Sequence, residues 1–451
     1  MSLTRLFSTA RQSLLANQAA INATGLNIAN AETPGYTRRT VGLRATPAAR
    51  GGVFIRSGPS PGGGVQVGSF DRVRNGILDG AVRRGRAGSG GANEGALLLS
   101  GLESQLAADG GDAFLGALGG FFDAWGDVAD APADLSVRDT LLSKAGQLAQ
   151  TLNGAASRLQ SYGASVQTDL KATVEQTNAL LAEVADLNVA IRTAQAQGSS
   201  DLDALDRRDV VLDELAGLAP FALQDQPDGS VTVTLDGMMA VQDDEVLPLR
   251  LALPPDVAAP QIRAQGSDRS LRLGALDGGA LGAQLDLLGT ALPGARAALD
   301  GLAADLVAAV NAAHAGGTGL DGSTGQPFFD PAGVTAGTIS LAPGLTAESV
   351  AAGTTGPGDA SVATLIAGLS EETSTAATRL LANLGSGARK ASTAAGANGA
   401  VAAHAEALRD GVSRVSLDEE MTNLIRFQQT YAASARVLET ADSLFDTLLA
   451  I

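Results

Sequence analysis

Histidine, the commonest general base, occurs twice in this 451-residue chain, at His314 and His404. Each lies in an alanine-rich helical context with no neighbouring serine or cysteine nucleophile motif, so both read as structural or surface residues. The run Gly58-Pro-Ser-Pro-Gly62 matches the hydrolase elbow in letters only. Prolines on both sides of Ser60 forbid the strand–turn–helix that the elbow needs. Gly317, Gly319 and Gly322 have the spacing of a dinucleotide loop, but they follow a helix pattern instead of a strand. Asp321-Gly322-Ser323 lacks the further carboxylates of a calcium loop and reads as an Asx-turn. Asp201, Asp203, Asp206 and Asp209 spread around a helix and read as a solvated or ion-paired face. No catalytic residue, metal site or cofactor site is assigned, and the chain reads as a non-enzyme.

Composition narrows the remaining classes. The formal charge is -17, and lysine occurs only at Lys144, Lys171 and Lys390. Nucleic acid and anionic membrane surfaces need clustered cations, so neither is an expected partner. Arg83, Arg84 and Arg86 form the richest basic stretch and read as a solvated, glycine-flanked loop. Cysteine is absent, which excludes disulfides and thiolate chemistry. The apolar residues of the first 31 positions are spaced helically and interrupted by Asn17, Gln18 and Asn22, unlike a cleavable signal peptide. No apolar run is long enough to span a bilayer.

What the chain does carry lies at its ends. Phe7, Leu14, Ile21 and Ile28 recur every seven residues, and so do Leu417, Leu424, Tyr431, Leu438 and Phe445. A seven-residue apolar repeat keeps one stripe of a helix facing a partner. The two stripes are expected to meet each other, or neighbouring subunits, or both. A single helix from Leu417 onward would reach ~50 Å.

The predicted fold is mainly α with a small β insertion. It is a long helical bundle with terminal coiled-coil helices and discontinuous domains. Residues 1–42 form the N-terminal coiled-coil segment, which pairs with 416–451. A helical domain occupies 43–219, 276–315 and 359–415. It is interrupted by a β module at 220–275 and a loop with short β pieces at 316–358. The first helix, Ser2 to Asn30, stops at Pro34-Gly35. Short β pieces are expected at Val53–Ile55 and Val65–Val67, and a helical pause at the glycines from Gly85 to Gly91. Val166 to Ala196 is the clearest long internal helix. Asp203 and Arg207 are spaced for an i,i+4 pair. Val231 to Gln242 alternates around Asp236-Gly237, the signature of a hairpin.

The stretch Asn27-Ile-Ala-Asn-Ala-Glu-Thr-Pro-Gly-Tyr-Thr-Arg-Arg39 resembles the signature of the bacterial flagellar axial family of rod, hook and hook-associated proteins. Its turn comprises Asn30, Thr33, Pro34, Gly35 and Tyr36. Pro34 fixes φ and Gly35 permits a positive one, so that Tyr36 and Arg38 can face a neighbouring subunit. The ending from Ser416 to Ile451, with Arg426, Phe427, Gln428 and Gln429, is similar to hook-associated members of that family. Internal pieces agree: Phe121-Phe122, Pro132 followed by Arg138, Asp203 to Asp209, and Gly325 to Pro331. Larger relatives insert an outer β domain after the position of Phe328-Phe329, and here only about thirty residues intervene before Ala360.

The resemblance implies a structural subunit forming a homo-oligomeric ring at the hook–filament junction, exported by the flagellar type III route without signal cleavage. It implies hook protein, hook-associated protein 3 and an export chaperone at the C-terminal helix as partners. It also implies that Phe7, Leu14, Ile21 and Ile28 pack against Leu424, Tyr431, Leu438 and Phe445. Other readings are another axial protein, such as hook protein or hook-associated protein 3, a flagellum-associated enzyme, or a secreted coiled-coil adhesin.

Overall fold

A computed structural model describes residues 3–46, 64–107, 111–252, 260–264, 270–271 and 278–449. The expected strand at Val53–Ile55 and the Gly58–Gly62 run lie outside these residues. Helix α1 (Leu3–Ala29) leads into a two-stranded antiparallel ribbon, β1 (Arg39–Ala45) and β2 (Val65–Arg72). The ribbon lies along α1 so closely that a Cβ on Gly64 would stand 3.5 Å from Thr9 Cα.

The body is built on α2 (Gly76–Leu106), α3 (Asp112–Asp130), α4 (Leu135–Ala196) and α5 (Leu202–Leu218). Helix α4 has 62 residues and begins well before the predicted Val166. The side chain of Asp134 caps it by accepting from Ser136 N–H at 2.8 Å. Its buried face, including Leu141, Leu148, Leu159, Val166, Leu170 and Leu181, runs the length of the core.

The expected pause at Gly85 to Gly91 does not occur, because α2 is continuous there. These glycines lie where helices touch. A Cβ on Gly85 would stand 2.9 Å from Ala402 Cα, and one on Gly91 would stand 2.9 Å from Gly279 N. Close packing outweighs glycine's helix penalty of ~1 kcal/mol per residue. The same continuity places Arg83, Arg84 and Arg86 on a helix, not in a solvated loop.

The β module contains β3 (Ala222–Asp225), β4 (Val231–Leu235), β5 (Met238–Gln242) and β6 (Glu245–Val246), ordered β3-β4-β5-β6. A second sheet has β7 (Leu249–Ala252), β8 (Gln261–Ala264) and β9 (Ser270–Leu271). The β4–β5 turn places Asp236 at φ 46° and Gly237 at φ 71°, the left-handed pair that a tight hairpin requires. Two asparagines of α4 hold the module by imitating strand neighbours. Asn188 accepts from Val231 N–H at 3.0 Å and donates to Val231 O at 2.9 Å. Asn178 does the same with Leu249, at 2.7 and 2.9 Å.

Helix α6 (Gly279–Asp286) passes through a π turn, Leu287–Ala291, into α7 (Leu292–Ala315). The wide turn falls just before Pro293, which has no N–H to return to the preceding turn. The segment 316–360 docks on α7 and α4 through buried polar clamps. Asn311 Oδ1 accepts from Phe328 and Phe329 N–H at 2.9 and 2.8 Å. Arg138, 1% exposed, donates to the carbonyls of Pro132, Ala347 and Val350. Burial lowers its pKa. His314 is buried between Gln326 O and Ala351 N–H, at 2.7 and 2.9 Å, whereas His404 is exposed. Asp321 Oδ1 accepts from Ser323 N–H at 2.9 Å, an Asx-turn. The chain closes with α8 (Ser361–Ala367), α9 (Ser370–Ser413) and α10 (Leu417–Leu449).

Candidate assembly site: the paired terminal helices

Helices α1 and α10 pack antiparallel against each other. Two side-chain bonds fix the register. Asn27 Nδ2 donates to Glu420 Oε2 at 3.0 Å, and the Ser13 and Ser434 hydroxyls stand 2.8 Å apart. Both helices advance two heptads between these bonds, so one stripe of each stays in contact.

The stripe that α1 buries is not the predicted one. Ala10, Ala16, Ala20, Ala23, Thr24 and Asn27 are buried, whereas Leu14, Ile21 and Ile28 are half-buried and Phe7 is 38% exposed. On α10 the inward positions are Glu420, Leu424, Phe427, Ser434, Leu438 and Ala441. Leu417, Tyr431 and Phe445 from the predicted stripe are exposed. The register sets Ala20 level with Phe427 and Ala23 level with Leu424. Small residues on one helix therefore accept large ones from the other and keep the axes close. The larger α1 side chains are displaced to the shoulder of the contact. Leu15, Leu26, Met421, Ile425 and Leu444 add to the apolar surface left open on this pair. Arg426 covers the Phe427 ring, its guanidinium carbon lying 5.1 Å from the centroid, while Gln428 and Gln429 are exposed.

Beyond α1 the chain turns sharply. Asn30 accepts from the Thr33 hydroxyl at 3.2 Å, its carbonyl accepts from Thr33 N–H at 2.9 Å, and Tyr36 N–H returns to Thr33 O at 3.2 Å. Gly35 has φ 79°, and a side chain there would collide with Val210 of α5. Tyr36 and Arg38 do not face outward as expected. The Tyr36 hydroxyl donates to Asn27 Oδ1 at 2.9 Å, and burial pushes the phenol pKa up. Arg38 bonds Glu420 at 2.8 Å and Glu419 at 3.0 Å, and its N–H donates to Ser413 O at 3.0 Å. Asn27 also pairs with the Arg39 main chain in both directions, each bond at 2.9 Å. One asparagine thus joins α1, the turn and α10.

An ion network carries this junction into the body. Arg39 meets Asp203 and Asp206 at 2.5 and 3.2 Å, and Arg72 meets Asp206 and Asp209 at 2.9 and 2.8 Å. Arg74 and Arg83 also bind Asp209, while Asp213 takes Arg83 and Arg409. Burial pushes the Asp209 carboxyl up, but Arg74, Arg72 and Arg83 outweigh it and hold the group below its ordinary value. The aspartates of α5 form an ion-paired face. Arg207 pairs with Glu183 at 2.5 Å, not with Asp203 as its spacing suggested.

Sequence reasoning gave no role to the alanine seam, to Asn27 or to the Arg38–Glu420 pair. The seam left a signal, since Ala16 and Ala23, and likewise Ser13, Ala20 and Asn27, recur at seven-residue spacing. Hydrophobicity ranking hides it, because alanine contributes little area. The ion pairs left none, because their partners are more than a hundred residues apart in the chain.

The two ends of the helical body close on each other through a heptad seam, beside a Thr-Pro-Gly-Tyr turn. Residues 99–329 match the model of the flagellar hook-associated protein FlgK helical domain, and residues 412–451 match the flagellar basal body rod FlgEFG protein C-terminal model. The chain belongs to the flagellar hook-associated protein FlgK family. It is 28% identical over 491 aligned positions to flagellar hook-associated protein 1 of Bacillus subtilis, covering 98% of this chain and 97% of that one. With the protein of the same name from Salmonella typhimurium it shares 25% identity, over 72% of this chain and 59% of that one. The flagellar hook junction protein FlgK from Burkholderia pseudomallei is a solved structure with 27% identity and a TM-score of 0.48, covering 57% of this chain and 46% of that one.

Proposed function

We propose that this chain is a structural subunit of the bacterial flagellum that forms the hook–filament junction and serves as the adaptor on which the filament is assembled. The observation that carries the reading is the paired terminal helices. They are locked to each other by Asn27, Arg38 and Glu420, yet they leave Phe7, Leu15, Met421, Ile425 and Phe445 exposed. A helix pair that is closed on one side and apolar on the other gains further stability by packing against neighbouring copies. Residues 1–42 and 416–451 then act as one assembly unit, with 43–219, 276–315 and 359–415 as the helical domain around it. The 220–275 module and the 316–358 segment decorate that domain.

In this reading the copies form a ring, with hook protein on one side and hook-associated protein 3 on the other. An export chaperone holds α10 before assembly, and the subunit leaves the cell by flagellar type III secretion. The role is mechanical and involves no catalysis. The test is a strain producing the chain without residues 417–451, viewed by electron microscopy. Hooks without filaments, with flagellin shed into the medium, is the expected result. Normal filaments on the truncated subunit would overturn the reading.

A further inference from the structure

A cleft of about 620 Å³ opens between α2, α5 and the outer edge of β3. Strand β3 ends its four-stranded sheet, and among the described residues no other strand pairs with its outer side. Leu212, Ala216, Phe221 and Leu223 supply the apolar part of the lining. The polar part holds Arg74, Arg83, Arg84 and Arg208 against Asp79, Asp209 and Asp225.

Two of those arginines have no carboxylate in direct contact among the described residues. Arg84 is exposed and has no carboxylate partner among the described residues. Arg208 is 6% exposed and bonds only neutral oxygens, those of Asn188 and Gly229 at 3.1 and 2.8 Å. Its Nε has no hydrogen-bond partner at all. A buried guanidinium with no carboxylate hydrogen-bonded to it is costly, and burial lowers the Arg208 pKa to about 10 despite the attraction of Asp209 and Asp225. An open sheet edge is likewise a row of unmet main-chain donors and acceptors. The two features lie side by side in one cleft and call for complementary chemistry: an extended backbone and a negative charge.

We propose that this cleft binds an extended acidic peptide segment of a partner protein, which adds to the free edge of β3 and places a carboxylate between Arg84 and Arg208. Strand addition supplies affinity through main-chain bonds, and alternate side chains supply selectivity. Every second side chain of such a segment faces Phe221 and Leu223, and the acidic one faces the arginines. The four-residue length of β3 limits the bound segment to a few residues. The inference is independent of where the chain is incorporated.

The test is a fluorescence-polarisation titration of the full chain against a labelled hexapeptide alternating valine and glutamate. Saturable binding is expected, weakened tenfold or more by Arg84→Glu, with slowed amide exchange at Ala222–Asp225 when peptide is present. Peptides with lysine in place of glutamate, or with a central proline, are expected not to bind. Absence of saturation at millimolar peptide overturns the proposal. So does equal binding of the proline peptide, which would reduce the cleft to a charged surface, and so does binding unchanged by Arg84→Glu.

Discussion

Asn27 and Glu420 are 393 positions apart in the chain, yet their side chains meet in a buried hydrogen bond of 3.0 Å. The same asparagine receives the Tyr36 hydroxyl and brackets the Arg39 main chain, while the same glutamate receives Arg38. The two termini are therefore held at one point by groups whose hydrogen-bonding capacity is used on several sides.

Asn27→Asp removes the Nδ2 donor and sets a second carboxylate against Glu420. Leaving a buried polar group unmet costs about 1–3 kcal/mol, and the like charge adds to it. Hydrogen exchange in α1 and α10 is expected to accelerate by tenfold or more while the core of α4 keeps its protection. Unchanged exchange at both ends would contradict the role given to this residue.

Ala20→Phe tests the seam. Large side chains already face Ala20 from α10, so a second ring forces the axes apart, at a cost of about 1–3 kcal/mol. Replacing the half-buried Leu438 by Asp should destabilise the same contact from the other side. Phe7→Ser, at an exposed site, should leave the isolated subunit's melting temperature unchanged and impair motility. Circular dichroism of the purified variants beside a swarming assay separates these outcomes.

Asp209→Asn strips the carboxylate that Arg72, Arg74 and Arg83 share. Three guanidinium groups are then left close together with less compensation, and breaking a buried pair in this way costs about 3–5 kcal/mol. Because the folded pKa of Asp209 is depressed, its contribution is present above its ordinary value and is lost as pH falls through the folded one. Urea denaturation at neutral pH should show the midpoint of the variant well below that of the parent.

His314 gives a pH dependence of its own. Burial lowers its pKa below 6.5, opposed by the bond to Gln326 O, with nearby Arg138 lowering it further. The unfolded chain therefore binds the proton more readily than the folded one. Its contribution to stability is complete above the unfolded value and is lost as pH falls below it. Protonation also removes the acceptor that Ala351 N–H uses. The parent should lose more stability than His314→Gln between pH 7 and 5, as read by chemical denaturation at each pH.

Much of this was legible in the residues. The helix that ends before Pro34, the hairpin around Asp236-Gly237 and the restart of helix beyond Ala360 all follow from local backbone preference, which short stretches of sequence express fully. The continuity of α2 through its glycines is not legible, because their local cost is visible in sequence and their packing benefit is not. The placement of Arg83 is hidden for the same reason. Its partners, Asp209 and Asp213, come from a helix more than a hundred residues later.

By itself, then, the sequence determined that both ends of the chain are heptad helices and that a turn of the flagellar axial kind follows the first. Periodicity and turn chemistry are properties of neighbouring residues, so they need no fold to be read. Tertiary structure alone decided which face of α1 meets α10. The leucine and isoleucine stripe has more apolar area, but an antiparallel partner presenting Phe427 and Leu424 leaves room at close range only for alanine. That choice depends on the shape of two surfaces brought together across the whole chain, and it moves the larger stripe to the shoulder of the contact.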